Sequence, residues 1–393
     1  MKKTKIICSI GPASNKADVM EQMVLAGMNV ARINFSHATM EERQMAQDSA
    51  REVRKRTGKN VAILWDTKGP EFRSGVLEGD SINLVEGKTI RIVKDNVVGN
   101  EERITVNHPN VLDDLVVGDV VLLENAKMKV EVISKENDGV TCKIVNGGKL
   151  GNRKSLSVPG KKLDIPYISE TDREDIIYAC KNGGEFLAIS FVSCPEDVLE
   201  VKEILKEQGR EDLQIICKIE SELGIKNLEE ILKVSDGAMV ARGDLGTEIP
   251  SEMLPIVQKK MIKTCRKMGK ICIVATEMLE TMMENTRPKR AETSDIANAV
   301  FDGTDAVMLS GETTVGKHPI ETVRAMANIC ETAEKYAEFN YEPVENNITT
   351  AIARSVVDSV DILNAKLICA ATMSGHTAKV ISNLKPNAPI LAL

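Results

Sequence analysis

Eight short, apolar, β-branched runs recur along the chain, nearly all of them followed by a stretch of helical period, and no other feature narrows the fold as sharply. The runs are Ile6–Ile10, Val30–Phe35, Val61–Asp66, Phe186–Val192, Gln214–Ile219, Ala238–Ala241, Ile271–Thr276 and Ala306–Leu309. Between and after them lie Lys16–Ala26, Met40–Arg56, a stretch following Pro195, Ser221–Val234, Glu252–Met268, Ala291–Phe301 and Pro319–Phe339. Strands that read as continuous apolar runs are covered on both faces, which is the condition of a parallel sheet with helices outside it. Eight such repeats predict an α/β fold built on a (β/α)8 TIM barrel, with its site at the C-terminal ends of the strands.

One connection breaks the alternation. From Gly69 to about Ile165 the pattern changes to short alternating strands, KTIRIV, ERITV, DVVLLE, MKVEVI and VTCKIV, separated by turn signals at Asp95-Asn96, Gly99-Asn100, Asn137-Asp138-Gly139 and Asn146-Gly147-Gly148. This reads as a small β-barrel lid inserted after the third barrel strand and hinged at Pro70 and at Pro159-Gly160 with Pro166. After the polar linker Tyr341–Asn347, an α-β-α-β pattern (Ile348–Leu363, Leu367–Thr372, Thr377–Asn383, Ile390–Leu393) begins a third domain. It stops on an apolar strand, so an incomplete C-terminal α/β domain with an apolar face near Ile390–Leu393 is expected. The expected domains are a barrel at 1–69 and 166–340, a lid at 70–165 and the C-terminal domain at 341–393.

Charge and cysteine content limit the functions open to such a chain. With 51 basic and 58 acidic residues the net charge is −7, which argues against nucleic acid as a partner and requires any anionic ligand to be held by a local site. The nine cysteines include no C-x-x-C pair and sit mostly in apolar runs such as those at Cys8, Cys217, Cys272 and Cys369, the pattern of reduced thiols in a cytoplasmic protein. The apolar run after Lys5 ends at Gly11-Pro12, too soon for a signal peptide, and no run has the length of a membrane span.

Six strand ends carry polar residues together: Arg32-Ile33-Asn34-Phe35-Ser36-His37, Asp66-Thr67-Lys68, Lys218-Ile219-Glu220, Ala241-Arg242-Gly243-Asp244, Thr276-Glu277 and Ser310-Gly311-Glu312. Polar residues commonly end single strands, but six coincident ends describe a site. Lys218 and Glu220 alternate on one strand, so both can face the barrel mouth. Glu220 with Asp244 supplies two hard oxygen ligands suited to Mg2+ or Mn2+, leaving Lys218 for an anionic substrate.

The segments KIICSIGPAS, NVARINFSH, DTKGPEFRSG, NGGKLGNRK, KIES, MVARGDLGTEIP, ATEML and RAETSDIANAVFDGTDAVMLSGET resemble the pyruvate kinase family over the whole chain. The resemblance implies transfer of the phosphoryl group of phosphoenolpyruvate to ADP, giving pyruvate and ATP, with Mg2+ or Mn2+ and K+. It implies Lys218 as the lysine that stabilises the transition state, Glu220 and Asp244 as the divalent-metal ligands, and Thr276 as the threonine beside the enolate. Arg32, Gly243, Asp244 and Thr276 would bind substrate. Asn34, Ser36, Asp66 and Thr67 match the potassium site, and Asn34, His37, Arg73 and Lys154 match groups that bind nucleotide. Thr372, Ser374, Gly375 and Thr377 resemble the phosphate loop of a sugar-phosphate effector site, for which only a weak response is expected. Family members form homotetramers, so a homo-oligomer is expected here.

Departures from the family pattern are Glu124-Asn125-Ala126 for an acidic D-D-G turn, Glu277 where Gln is usual, and Pro288-Lys289-Arg290 for Pro-Thr-Arg. The alternatives are another barrel enzyme acting on phosphoenolpyruvate or a pyruvate enolate, and a catalytically silent relative. Intact Lys218, Glu220, Asp244 and Thr276 argue against the second.

Overall fold

The computed structural model describes residues 2–338 and 347–393. Apart from Asn347, the linker expected over Tyr341–Asn347 lies outside the described residues, as do the expected domain boundary at 340/341 and the end of the helix expected to reach Phe339. Eight parallel strands, Lys5–Ser9, Val30–Asn34, Ala62–Asp66, Phe186–Ile189, Gln214–Ile219, Gly237–Ala241, Ile271–Ala275 and Ala306–Leu309, close into a barrel in which each pairs with its sequence neighbours and the first meets the eighth. They are called barrel strands one to eight below. Ile7, Val30, Leu64, Ala188, Ile216, Met239, Ile273 and Met308 fill the interior. A larger cluster, including Ile6, Ile33, Trp65, Leu187, Val240 and Val307, seals the strands to the outer helices, as the continuous apolar runs require. Each such fully buried aliphatic side chain stabilises the fold by about 1.5–3 kcal/mol.

Local chemistry sets the helix ends. Thr39 and Glu42 form a reciprocal capping box before Met40–Thr57, and Gly58, at φ 64°, ends that helix after three basic residues. The helical stretch expected over Ser221–Val234 is two helices, Glu222–Lys226 and Leu228–Val234, parted at Asn227, whose side-chain amide donates to the Ser193 carbonyl at 2.8 Å. A helix at Glu170–Asn182, capped by Ser169, precedes the fourth strand; its mean polarity hides it in the sequence.

The lid has its own core, including Ile90, Ile92, Ile104, Leu115, Val121, Val130 and Ile144. Its strands form a six-stranded sheet and a two-stranded ribbon, Ser81–Leu84 with Gly148–Gly151. The segment 72–75 joins the two edges of the six-stranded sheet: the Leu156 N–H donates to the Phe72 carbonyl and the Ser74 N–H to the Lys154 carbonyl, both at 2.8 Å, while the Gly75 N–H donates to the Thr105 carbonyl at 2.8 Å and the Asn107 N–H to the Arg73 carbonyl at 3.0 Å. In the C-terminal lobe, helices Ile348–Leu363 and His376–Asn383 cover a parallel pair, Ile368–Ala370 and Ile390–Ala392. Lys385 Nζ ties this lobe to the barrel by donating to the Thr304 carbonyl at 3.0 Å and to Asp305 Oδ1 at 2.9 Å.

Candidate active site

A cavity of about 410 Å³ opens at the C-terminal ends of the barrel strands, between the barrel and the lid. Its lining brings together Arg32, Asn34, Ser36, His37, Arg73, Lys218, Glu220 and Asp244 from the residues expected by sequence. Gly243 and Thr276 adjoin Asp244 without lining the cavity itself, and Asp66 and Thr67 lie buried behind it. Lys154 does not reach it: its Nζ lies 3.8 Å from Glu124 Oε1 on the lid.

Lys218 is the electrostatic centre. Its Nζ donates to Ser190 Oγ at 2.6 Å and lies 3.2 Å from Asp66 Oδ1 and 3.1 Å from Glu220 Oε1. Burial alone would lower its pKa, but the two carboxylates outweigh burial and raise it, so the ammonium stays charged. Asp66 also holds Arg32, whose Nε is 2.5 Å from Oδ2, while Arg32 Nη1 donates to Ser9 Oγ at 2.6 Å. Burial pushes the Asp66 carboxyl up, and the Arg32 guanidinium and Lys218 ammonium more than reverse it, leaving it below the ordinary range. Two cations are thereby fixed in orientation by one fully buried carboxylate.

Glu220 is held differently. Its Oε2 accepts the Phe191 N–H at 2.7 Å, and Phe191 turns to φ 56° as the chain leaves the fourth strand. The expected strand Phe186–Val192 therefore stops at Ile189. Burial, and then the neighbouring Asp244 charge against the relief from Lys218, pushes the Glu220 carboxyl up to about 7. Among the described residues no three His, Cys, Asp or Glu side chains form a metal cluster. Glu220 and Asp244, two carboxylates, both line the cavity.

The seventh strand also ends early, at Ala275, because Thr276 and Glu277 adopt φ values of 68° and 53°. For a β-branched residue this is a strained conformation. It turns Thr276 Oγ1 toward strand six, where it accepts the Gly243 N–H at 2.8 Å while donating to the Ala275 carbonyl at 2.6 Å. Gly243 and Asp244 lie in the first turn of the helix Arg242–Glu248, where backbone N–H groups have no partner within the helix; that of Gly243 is taken by Thr276 Oγ1.

Asn34 and Asp66 are register partners on strands two and three. Asn34 Oδ1 accepts the Ser36 N–H at 3.0 Å, and Thr67 Oγ1 accepts the Ser190 N–H at 3.2 Å. Glu71 is bracketed by Lys68, 2.7 Å away, and by Arg73. In the C-terminal lobe, Gly375, at φ 76°, precedes the helix His376–Asn383, and the loop around it lies apart from the barrel mouth.

Sequence reasoning missed Ser190. Its hydroxyl accepts from Lys218 and donates to the Thr67 carbonyl at 2.7 Å, and its own carbonyl accepts from Tyr167 Oη at 2.9 Å. A serine inside the expected run Phe186–Val192 carries no distinctive signal; its place opposite Lys218 on the adjacent strand was the clue.

Comparison with known proteins gives a consistent result. The profile of the pyruvate kinase barrel domain matches residues 1–323, and that of the pyruvate kinase alpha/beta domain matches residues 350–393. The chain is 45% identical over 401 positions to a pyruvate kinase of Bacillus licheniformis, and 45% identical over 400 positions to one of Geobacillus stearothermophilus. Each alignment spans 100% of this chain and 68% of the relative. The crystal structure of a pyruvate kinase from Cryptosporidium parvum superposes with a TM-score of 0.94 at 39% identity, over 100% of this chain and 83% of that one.

Proposed function

Because the chain belongs to the pyruvate kinase family, we propose that its barrel mouth transfers the phosphoryl group of phosphoenolpyruvate to ADP with Lys218, Arg32, Glu220, Asp244 and Thr276 as the working groups. The observation that carries this assignment is the buried Lys218 ammonium, fixed between Asp66, Glu220 and Ser190. Phosphoryl transfer needs little covalent help from a protein; it needs preorganised positive charge where the equatorial oxygens gather negative charge. Lys218 and Arg32 supply two such charges without reorganisation, since Asp66 already orients both.

Mg2+ or Mn2+ fits Glu220 and Asp244, because both donors are carboxylates and their mutual repulsion is what a divalent cation between them relieves. When bound, the ion adds Lewis-acid charge to the substrate oxygens. The backbone of Gly243-Asp244 would receive the substrate carboxylate through the Asp244 N–H, the Gly243 N–H being held by Thr276 Oγ1. Thr276, fixed against Gly243, is assigned to orient the water that protonates the enolate. Asn34, Ser36, Asp66 and Thr67 offer only oxygen to a monovalent cation, and K+ is the ion we assign. Asn34, His37 and Arg73, which line the cavity, are assigned to the nucleotide phosphates, and Lys154 is assigned to join them only if the lid carries it in from its place beside Glu124. The hydroxyls and N–H groups of Thr372, Ser374, Gly375 and Thr377 are assigned a weak phosphate-effector role. A homo-oligomer in the cytoplasm completes the reading; no helix among the described residues is long and apolar enough to cross a membrane.

A lactate-dehydrogenase-coupled assay tests the reading. Pyruvate should form only with both phosphoenolpyruvate and ADP, and the rate should rise steeply with K+ but little with Na+. ADP-independent pyruvate formation would favour a different barrel enzyme, and a flat K+ titration at saturating Mg2+ would remove the monovalent site.

A further inference from the structure

We propose that Arg242 is the positioning residue of the reacting centre, holding the end of barrel strand seven in the conformation that presents Thr276. The inference rests on the role assigned to Thr276 above and names what keeps that side chain in place. Arg242 is the first residue after strand six, and its guanidinium reaches across to strand seven, buried to 8% exposure. Its Nε donates to the carbonyls of Ala275 at 3.2 Å and Thr276 at 3.1 Å. Its Nη2 donates to the carbonyls of Thr276 at 2.5 Å and Glu277 at 3.1 Å and touches Met278 Sδ at 2.9 Å. Nη1 is anchored by Asp295 Oδ2 at 2.6 Å, with Gln258 Oε1 at 3.4 Å.

Three successive carbonyls on one guanidinium are incompatible with a continuing strand, in which they would alternate in direction. They converge here because Thr276 and Glu277 are left-handed, at φ 68° and 53°. Such a conformation persists only where surrounding contacts over-determine it. The contacts that do so are the Arg242 fork on the carbonyl side and the Gly243 N–H on Thr276 Oγ1 on the other. Both come from one dipeptide, so the backbone that would receive the substrate carboxylate and the hydroxyl beside the enolate are set by a single rigid unit. A lysine has one point charge and no planar fork, and cannot span the three carbonyls. Neither Ala275 nor Glu277 contributes a side chain to this clamp, so the device is invisible to a reading of side-chain types.

A double-mutant cycle tests it. Wild type, Arg242→Lys, Thr276→Ala and the double variant are compared by kcat, by KM for ADP and by deuterium exchange from solvent into the methyl group of pyruvate. Arg242→Lys should lower kcat and methyl exchange by about tenfold or more, leave KM for ADP within about twofold, and cost less than about threefold when Thr276 is already alanine. Full additivity, with Thr276→Ala itself impaired, overturns the positioning role alone. No loss in Thr276→Ala overturns the Thr276 assignment and the positioning role with it. If circular dichroism shows that Arg242→Lys does not fold, Asp295→Asn, which keeps the shape and removes only the anchoring charge, goes through the same cycle. A loss of about threefold with the same non-additivity is then expected, and an additive or absent loss overturns the proposal.

Discussion

Lys218 is the residue whose removal should be felt most. Its ammonium is buried among groups that also hold Arg32, so Lys218→Met deletes transition-state charge and leaves Asp66 with one partner fewer. A fall in kcat of at least about a hundredfold, on the order of 3 kcal/mol or more, is expected, with Mn2+ binding by paramagnetic resonance largely retained; wild-type turnover would end the assignment. Lys2 gives a pH signature. Burial lowers its pKa to about 8, and its Nζ donates to two neutral oxygens, the Thr4 carbonyl at 2.6 Å and Asn29 Oδ1 at 2.8 Å. An unfolded lysine holds its proton to 10.5, so between about 8 and 10.5 the unfolded chain binds more protons and stability rises with pH through this group. Urea unfolding across that window should show the rise in wild type and a shallower slope in Lys2→Gln. Residue types at the strand ends were legible because the chemistry needs lysine, carboxylate and hydroxyl there. The turns that aim them, at Phe191 and Thr276, were not, since neither residue type favours a positive φ.

At the level of elements, the barrel strands other than the fourth were legible to within one residue at each end, because burial on both faces leaves an unbroken apolar run for each. The lid strands Ser81–Leu84, Gly148–Gly151 and Leu156–Ser157 were not, being short and half exposed. The hairpin joining Val120–Leu123 to Met128–Glu136 shows what the departure from an acidic D-D-G turn does. Glu124, Asn125 and Ala126 are all left-handed, at φ 51°, 54° and 60°. Asparagine tolerates this region, but alanine there sets its Cβ against the following carbonyl. Glycine at the third position relieves that contact at the expense of a more flexible unfolded chain. Ala126→Gly should therefore stabilise the lid by about 1 kcal/mol net, read as slower amide exchange over Val120–Leu123 and Met128–Glu136. Unchanged or faster exchange would show that the turn carries no strain of this kind.

On the scale of the whole molecule, barrel, lid and C-terminal lobe have separate hydrophobic clusters, and their sizes differ in a way that sets the order of opening. Among the described residues, the lid buries 22 apolar side chains in one cluster, while the C-terminal lobe buries seven: Ala353, Val360, Ile368, Ala370, Ile381, Leu384 and Ala388. Three of those seven are alanines, which contribute little area each. The lobe is held to the barrel by polar contacts, Lys385 with Thr304 and Asp305 and Lys3 Nζ with Asn387 Oδ1 at 2.9 Å. Local stability follows buried apolar contact, so the amides of Ile348–Leu363, Ile368–Ala370 and His376–Asn383 should exchange well before those of the lid, and the barrel strands last. Lys385 is the most buried of the polar ties, with its side chain 14% exposed. Lys385→Met leaves the Asp305 carboxylate short of a charge-assisted partner, worth roughly 1.5–3 kcal/mol. If docking on the barrel is what limits opening of the lobe, exchange across these three segments should speed up by about tenfold or more, while the lid segments Val120–Leu123 and Gly139–Asn146 keep their wild-type rates. Equal acceleration in the lid would mean that the domains open as one cooperative unit despite their separate cores.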